Sequence, residues 1–136
     1  MTALIQAANA AFDYRIPVRW GDLDAFNHVN NTIYLRYLEE ARVQWLHAMA
    51  NDWSEVSTAP VMAAIQLDYR QPIGWPAEIV VTHSIARIGN TSLTLANRIE
   101  SADRQTLHAE GEVVLVWIDR ATGQPVPLPR ALRSPG

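Results

Sequence analysis

Apolar and polar positions alternate from Phe12 to Trp20, with Tyr14, Ile16 and Val18 on one side and Asp13, Arg15, Pro17 and Arg19 on the other. That period of two predicts a half-buried strand. Pro17 has no amide hydrogen to give to a ladder, so the strand is expected at or near a sheet edge. Gly21 ends it, and a polar turn follows. From about Asn31 to Met49 the period becomes helical: Ile33, Tyr34, Tyr37, Leu38, Ala41, Trp45 and Leu46 form one stripe, with Arg36, Glu39, Glu40, Arg42 and Gln44 mostly outside it. Asn30 or Asn31 suits the N-cap. A helix of this length would run about 28 Å.

The link from Ala50 to Pro60 is polar, with a short helical turn expected around Trp53. Strand patterns then dominate. Val61, Ala63, Ile65, Leu67 and Tyr69 alternate with polar or small residues until Pro72, Gly74 and Pro76 force a turn. A second run covers Ile79 to Ile88, Gly89 and Asn90 make a tight turn, and Leu93, Leu95 and Ile99 mark a third. The last run, His108 to Ile118, is apolar on both faces from Val113 to Trp117, which predicts cover on both sides there. Residues 121–136 carry Pro125, Pro127, Pro129 and Pro135 and are expected to be largely irregular. One helix inserted after the first of several antiparallel strands implies an α+β fold in which a sheet wraps a single central helix, one domain spanning residues 1–136. Such a sheet has open edges, so a homodimer or homotetramer is expected.

Composition narrows the chemistry. A formal charge of -3 gives no general attraction to nucleic acid or to an acidic membrane surface. With no cysteine there is neither a disulfide framework nor a thiolate nucleophile. Neither a signal peptide nor a run of roughly 20 apolar residues is present, so the chain reads as cytoplasmic and without a membrane span.

The candidate chemistry sits where the first strand gives way to the helix. Asp22, Asp24 and His28 lie in the polar turn, and the first amides of the helix lack intrahelical acceptors and carry the positive end of its dipole. By spacing alone Asp24 reads as a turn or capping residue, Asp22 as a structural acid, and His28 as a histidine satisfied by main chain or in support of a carboxylate. An Asp-x-Asp pair also occurs in phosphotransfer hydrolases, but those need a larger parallel core than this chain can build. No second histidine falls at ligand spacing, so no metal is expected. A Gly-x-Ser-x-Gly elbow is absent, which disfavours a serine hydrolase. Tyr34, Tyr37 and Trp45 read first as core; His47, His83 and His108 have no evident partner.

Trp20-Gly21-Asp22-Leu23-Asp24, then His28-Val29-Asn30-Asn31, Tyr34 and Glu40-Ala41-Arg42 together resemble the hotdog-fold thioesterases of the 4-hydroxybenzoyl-CoA thioesterase and YbgC-like type. Tyr69-Arg70-Gln71-Pro72, the turn from Ile88 to Ser92 and Pro127-Leu128-Pro129 extend the likeness over nearly the whole chain. The resemblance implies a hotdog fold and hydrolysis of acyl thioesters, usually acyl-CoA, at sites between two subunits. It puts the catalytic carboxylate on Asp24 and the oxyanion donor on the main-chain amide near Asn31. The 4-hydroxybenzoyl-CoA branch lacks the His-Val-Asn-Asn run, which argues against that substrate.

A thioester suits such equipment, because its thiol, with a pKa near ~8.5, leaves without a strong acid. The reaction needs chiefly a base or nucleophile, Asp24, and a stabiliser for the oxyanion, Asn31, with His28 in support. Arg70, Arg87, Arg130 and Arg133 are candidates for the phosphates of coenzyme A; Asn30, Tyr34 and Ser92 complete the expected substrate contacts. Coenzyme A would enter as part of the substrate, with no separate cofactor. Two other readings fit the same residues: a hydratase or dehydratase using His28 with Asp24, and a non-catalytic acyl-CoA-binding domain.

Overall fold

A computed structural model describes residues 11–49 and 57–133 of the 136-residue chain. The turn expected around Trp53 and the last proline, Pro135, fall outside these residues. The elements follow the order read from the pattern: β1 (Phe12–Pro17), α1 (Asn31–Met49), β2 (Thr58–Tyr69), β3 (Glu78–Ile88), β4 (Ser92–Ser101), β5 (Leu107–Asp119) and a single turn of helix, α2 (Arg130–Arg133). The five strands form one sheet in the order β1-β3-β4-β5-β2, antiparallel throughout, with α1 packed across one face.

β1 is an edge strand, in agreement with Pro17, but it stops there instead of reaching Trp20. The Asp22 carboxylate accepts the Arg19 amide at 3.0 Å and the Asp22 amide returns to the Arg19 carbonyl at 2.9 Å, closing a 3-10 turn over Trp20–Asp22. Trp20 is thereby turned into solvent, 72% exposed.

The apolar stripe of α1 is divided between two core clusters. Near the start of the helix, Tyr34, Tyr37, Leu38 and Ala41 meet Ile79, Val81, Ile99 and Ala109; near its end, Trp45 meets Leu93, Leu95, Val113, Leu115 and Trp117. Each large side chain so buried contributes roughly 1.5–3 kcal/mol of transfer free energy. The proline-rich tail, although irregular up to α2, is fixed. Val126 and Leu128 donate their amides to Trp117 and Asn90, and Leu128 and Leu132 close the second cluster.

β2 and β5 depart from expectation. On β5, Val113, Leu115 and Trp117 point into the core, while Val114 and Val116 on the opposite face are only half-buried. The double cover expected for that run is therefore not supplied by the described residues of one chain. Among the described residues β2 pairs with β5 alone, and Val61, Met62, Ile65 and Tyr69 are exposed. The two strands run close together at Gly111, where a Cβ would collide with the Gln66 carbonyl oxygen.

Candidate active site

Three backbone contacts shape the turn between β1 and α1. Leu23 and Val29 form an isolated bridge, the Asp24 amide bonds the His28 carbonyl at 2.8 Å, and the Asn27 amide closes on the Asp24 carbonyl at 3.2 Å. Residues 24–28 thus make a small hairpin. Asn27 takes φ 62 at its tip, a left-handed conformation that asparagine tolerates better than most side chains. Val29 then anchors the hairpin by donating to the Ile73 carbonyl in the β2–β3 loop.

The two acids have separate tasks. Asp22 is buried, and its Oδ2 accepts both the Arg19 amide and the Tyr37 hydroxyl, the latter at 2.8 Å. Burial and this bond to an anion raise the Tyr37 pKa well above the usual tyrosine value. Asp22 is a structural tie between turn and helix. Asp24 is half-buried; its Oδ1 accepts the Phe26 amide at 2.8 Å, and among the described residues Oδ2 takes no hydrogen bond. One carboxylate oxygen holds the hairpin and the other is open.

Helix α1 begins with Asn30 as cap. Its Oδ1 accepts the Thr32 amide at 3.0 Å and the Thr32 hydroxyl at 2.9 Å, and its carbonyl accepts the Ile33 amide at 2.9 Å. The amide of Asn31 is passed over: among the described residues it has no acceptor. Beside it lies a cavity of about 290 Å³ lined by Val29, Asn31, Tyr34, Tyr69, Arg70, Gln71 and Pro72. The Tyr69 hydroxyl donates to the Asn31 carbonyl at 2.8 Å, and the Tyr34 and Tyr69 rings meet edge to face at 4.8 Å. Tyr34 is thus both core and cavity wall.

The remaining candidates divide into near and far. Arg70 lines the cavity at Asn31 and is half-exposed, paired to Asp68 at 3.6 Å and Glu110 at 3.4 Å. His28 is exposed and offers its carbonyl, not its ring, to Asp24. The bonded side-chain pair needed for proton transfer at carbon is therefore not formed. Arg87 and Ser92 flank the β3–β4 turn, in the part of the sheet that packs against the end of α1; Arg87 donates to the Thr94 hydroxyl at 3.4 Å. Within one chain most of a 28 Å helix separates them from Asn31. Arg130 and Arg133 are exposed on α2. Asp24 is not among the residues lining the Asn31 cavity of a single chain.

Tyr69 is the contributor that sequence reasoning missed. The sequence marks it as a strand position and as part of the Tyr69-Arg70-Gln71-Pro72 likeness, but nothing in the pattern reveals that its hydroxyl reaches the first carbonyl of α1.

Comparison with known proteins places the fold in a family. The chain is 30% identical over 122 residues to the long-chain acyl-CoA thioesterase FadM of Escherichia coli, covering 88% of this chain and 92% of that one. It is 28% identical over 124 residues to the acyl-CoA thioester hydrolase YbgC of Escherichia coli, with coverages of 88% and 92%. The solved structure of the Pseudomonas aeruginosa protein PA2801 superposes with a TM-score of 0.83 at 39% identity, over 87% of this chain and 92% of that one. The sequence profile of the thioesterase-like superfamily matches residues 18–135. A sheet folded about one helix, an acidic turn ahead of that helix and a match over nearly the whole length lead to one conclusion: the chain belongs to the thioesterase-like superfamily.

Proposed function

We propose that the protein is an acyl-CoA thioesterase that releases a free acid and coenzyme A. The observation that carries this reading is the open Asn31 amide at the positive end of α1, immediately after a turn that presents an unbonded carboxylate oxygen on Asp24. The thioester carbonyl oxygen accepts from the Asn31 amide, whose hydrogen bond strengthens as the oxygen becomes an oxyanion. Asp24 acts on the carbonyl carbon, either by direct attack to give a mixed anhydride or by taking a proton from water. In the first route the thiolate departs and a water then hydrolyses the anhydride; in the second the deprotonated water adds to the carbonyl carbon and the thiolate departs as the acid forms. No cofactor is needed, since coenzyme A arrives with the substrate, and a cysteine-free chain acting on acyl-CoA fits a cytoplasmic setting.

The working unit in this proposal is a dimer built on β2. Among the described residues its outer edge is unpaired over twelve residues, and the strand bears exposed Val61, Met62, Ile65 and Tyr69. Antiparallel pairing of two such edges about a two-fold axis near their middle sets the partner's Thr58 end against this chain's Tyr69. Val61 and Ser92 both register with Val116, so Ser92 lies two strands, or about 10 Å, in from that edge. The partner's Ser92 and Arg87 are thereby carried toward the Asn31 cavity and Arg70.

Asp24→Asn tests the chemistry. The side chain keeps an oxygen for the Phe26 amide, so the hairpin and the melting temperature should hold while thiol release from acyl-CoA falls on the order of 100-fold or more. Turnover within a few-fold of the parent removes Asp24 from the mechanism. Following enoyl absorbance in the same samples separates hydrolysis from hydration.

A further inference from the structure

The main chain on either side of Asn31 is bonded at every polar group but one. The Asn30 amide donates to the Asp22 carbonyl at 2.9 Å, and the Asn30 carbonyl accepts the Ile33 amide at 2.9 Å. The peptide group between Asn31 and Thr32 is held at both ends: its NH by Asn30 Oδ1 at 3.0 Å, its carbonyl by the Tyr69 hydroxyl at 2.8 Å. Of these groups the Asn31 amide alone has no acceptor among the described residues. Buried or ordered main chain normally satisfies all its donors, so a single open one framed by bonded neighbours is a directed feature.

Three of the four framing bonds stay within residues 22–33; the fourth reaches in from the sheet, 38 positions away in sequence. Tyr69 brings it from a firm base. It pairs with Ala109 in the β2–β5 ladder, and the two amides that follow, Arg70 and Gln71, both donate to the His108 carbonyl, at 2.8 and 3.2 Å. The His108 ring in turn donates through Nδ1 to the Gln71 carbonyl at 3.0 Å. On the cavity side the Tyr69 ring meets Tyr34 edge to face at 4.8 Å, and the Tyr34 hydroxyl is bonded to the Ile73 main chain. A donor for an oxyanion works by being aimed before charge develops; an amide free to swing must be ordered during the reaction.

We propose that Tyr69 is a positioning residue: its hydroxyl, by holding the Asn31 carbonyl, fixes the first peptide groups of α1 to the sheet and so aims the Asn31 amide at the thioester oxygen. The inference rests on the acyl-CoA thioesterase reading and adds to it a hydroxyl that touches no reacting atom. Tyr69→Phe keeps the ring against Tyr34 and removes the hydroxyl alone. In this variant kcat for thiol release should fall about tenfold while KM stays within about twofold, because the bond from the amide strengthens only as charge builds on the oxygen. Thr82→Val is the control for lost stability. It deletes a hydroxyl bond of the same length, 2.8 Å to Asp13 in the β1–β3 pair, and should leave kcat within about twofold. Both variants are assayed at concentrations where light scattering gives the wild-type mass.

A second readout needs no turnover. Acetate titrated into 15N-labelled protein should shift the Asn31 amide resonance, and Tyr69→Phe should weaken that binding about fivefold or more. Where the wild type releases thiol, the kinetics decide: an unchanged kcat, a change confined to KM, or an equal loss in Thr82→Val overturns the role of Tyr69 and leaves the thioesterase reading standing. Absence of thiol release from any acyl-CoA sinks the thioesterase reading, and the titration then decides alone. Weaker acetate binding in Tyr69→Phe upholds the hold on the amide; equal binding, or an Asn31 resonance that does not respond in the wild type, overturns it.

Discussion

At the scale of single residues, His83 shows how far a side chain can be driven from its ordinary chemistry by place alone. Its ring is 1% exposed, stacked on Phe12 at 5.3 Å and edge-on to Trp45. Burial, with the Arg42 charge in addition and only partly offset by Asp13, lowers its pKa to about 4. The sign follows from comparing states. Below the ordinary value of 6.5 the unfolded chain takes up a proton that the folded chain refuses, so stability falls as pH drops from 6.5 toward 4 and levels off below that. The cost is on the order of 3 kcal/mol at the acid end. His83→Leu should abolish this part of the slope, which urea denaturation at pH 7 and at pH 4.5 measures; an unchanged slope refutes the assignment. Position in the sequence did not reveal this histidine's role. It occupies an inward strand position where an aliphatic residue would be read without remark; the sequence offers it no evident partner, and its burial between Phe12 and Trp45 emerges only from packing.

Helix α1 was legible end to end because its period and its cap speak for the same boundaries. Its bounds, Asn31–Met49, are those the apolar stripe predicts. Finer assignments needed the structure: which asparagine caps, and which amide is left over. Asn30 takes Thr32 and so leaves Asn31 open, a division of labour that sequence allows in either order. Asn30→Ala should cost about 1 kcal/mol of stability through the lost cap. Asn30→Ser should restore it with turnover intact. Asn30→Asp is the informative variant: the cap is kept, and with it the stability, but a fixed negative charge beside the Asn31 amide opposes the developing oxyanion. Thiol release should therefore drop while the urea midpoint does not; equal activity in Asn30→Ser and Asn30→Asp would separate the helix start from the chemistry. Trp20 was misread at this same scale, because alternation continued through it while the Asp22 bonds that terminate β1 depend on a side chain folding back three residues.

For the molecule as a whole, the sequence pattern yields a single chain, and the proposed site draws on two. The succession of elements and the wrapped helix could be argued from periodicity; the order of the strands in the sheet and the distance between Asn31 and the Ser92 turn could not. Sheet edges decide function in the proposed dimer. β2 exposes apolar side chains on both faces, and in the proposed dimer the site is completed by what lies two strands inside the same edge of another copy. Ile65→Lys puts a charge near the middle of β2, far from Asp24 and Asn31, and charged side chains are a common defence against edge pairing. The variant should fold with unchanged secondary structure, halve its mass by light scattering at micromolar concentration and lose most thiol release, although every residue of the turn and cap is intact. Activity should return when the concentration is raised enough to force pairing, since association is a mass-action effect. A variant that sediments as a monomer at every concentration and still turns over like the parent would mean that one chain holds the complete site, and that β2 keeps its open edge for some purpose other than catalysis.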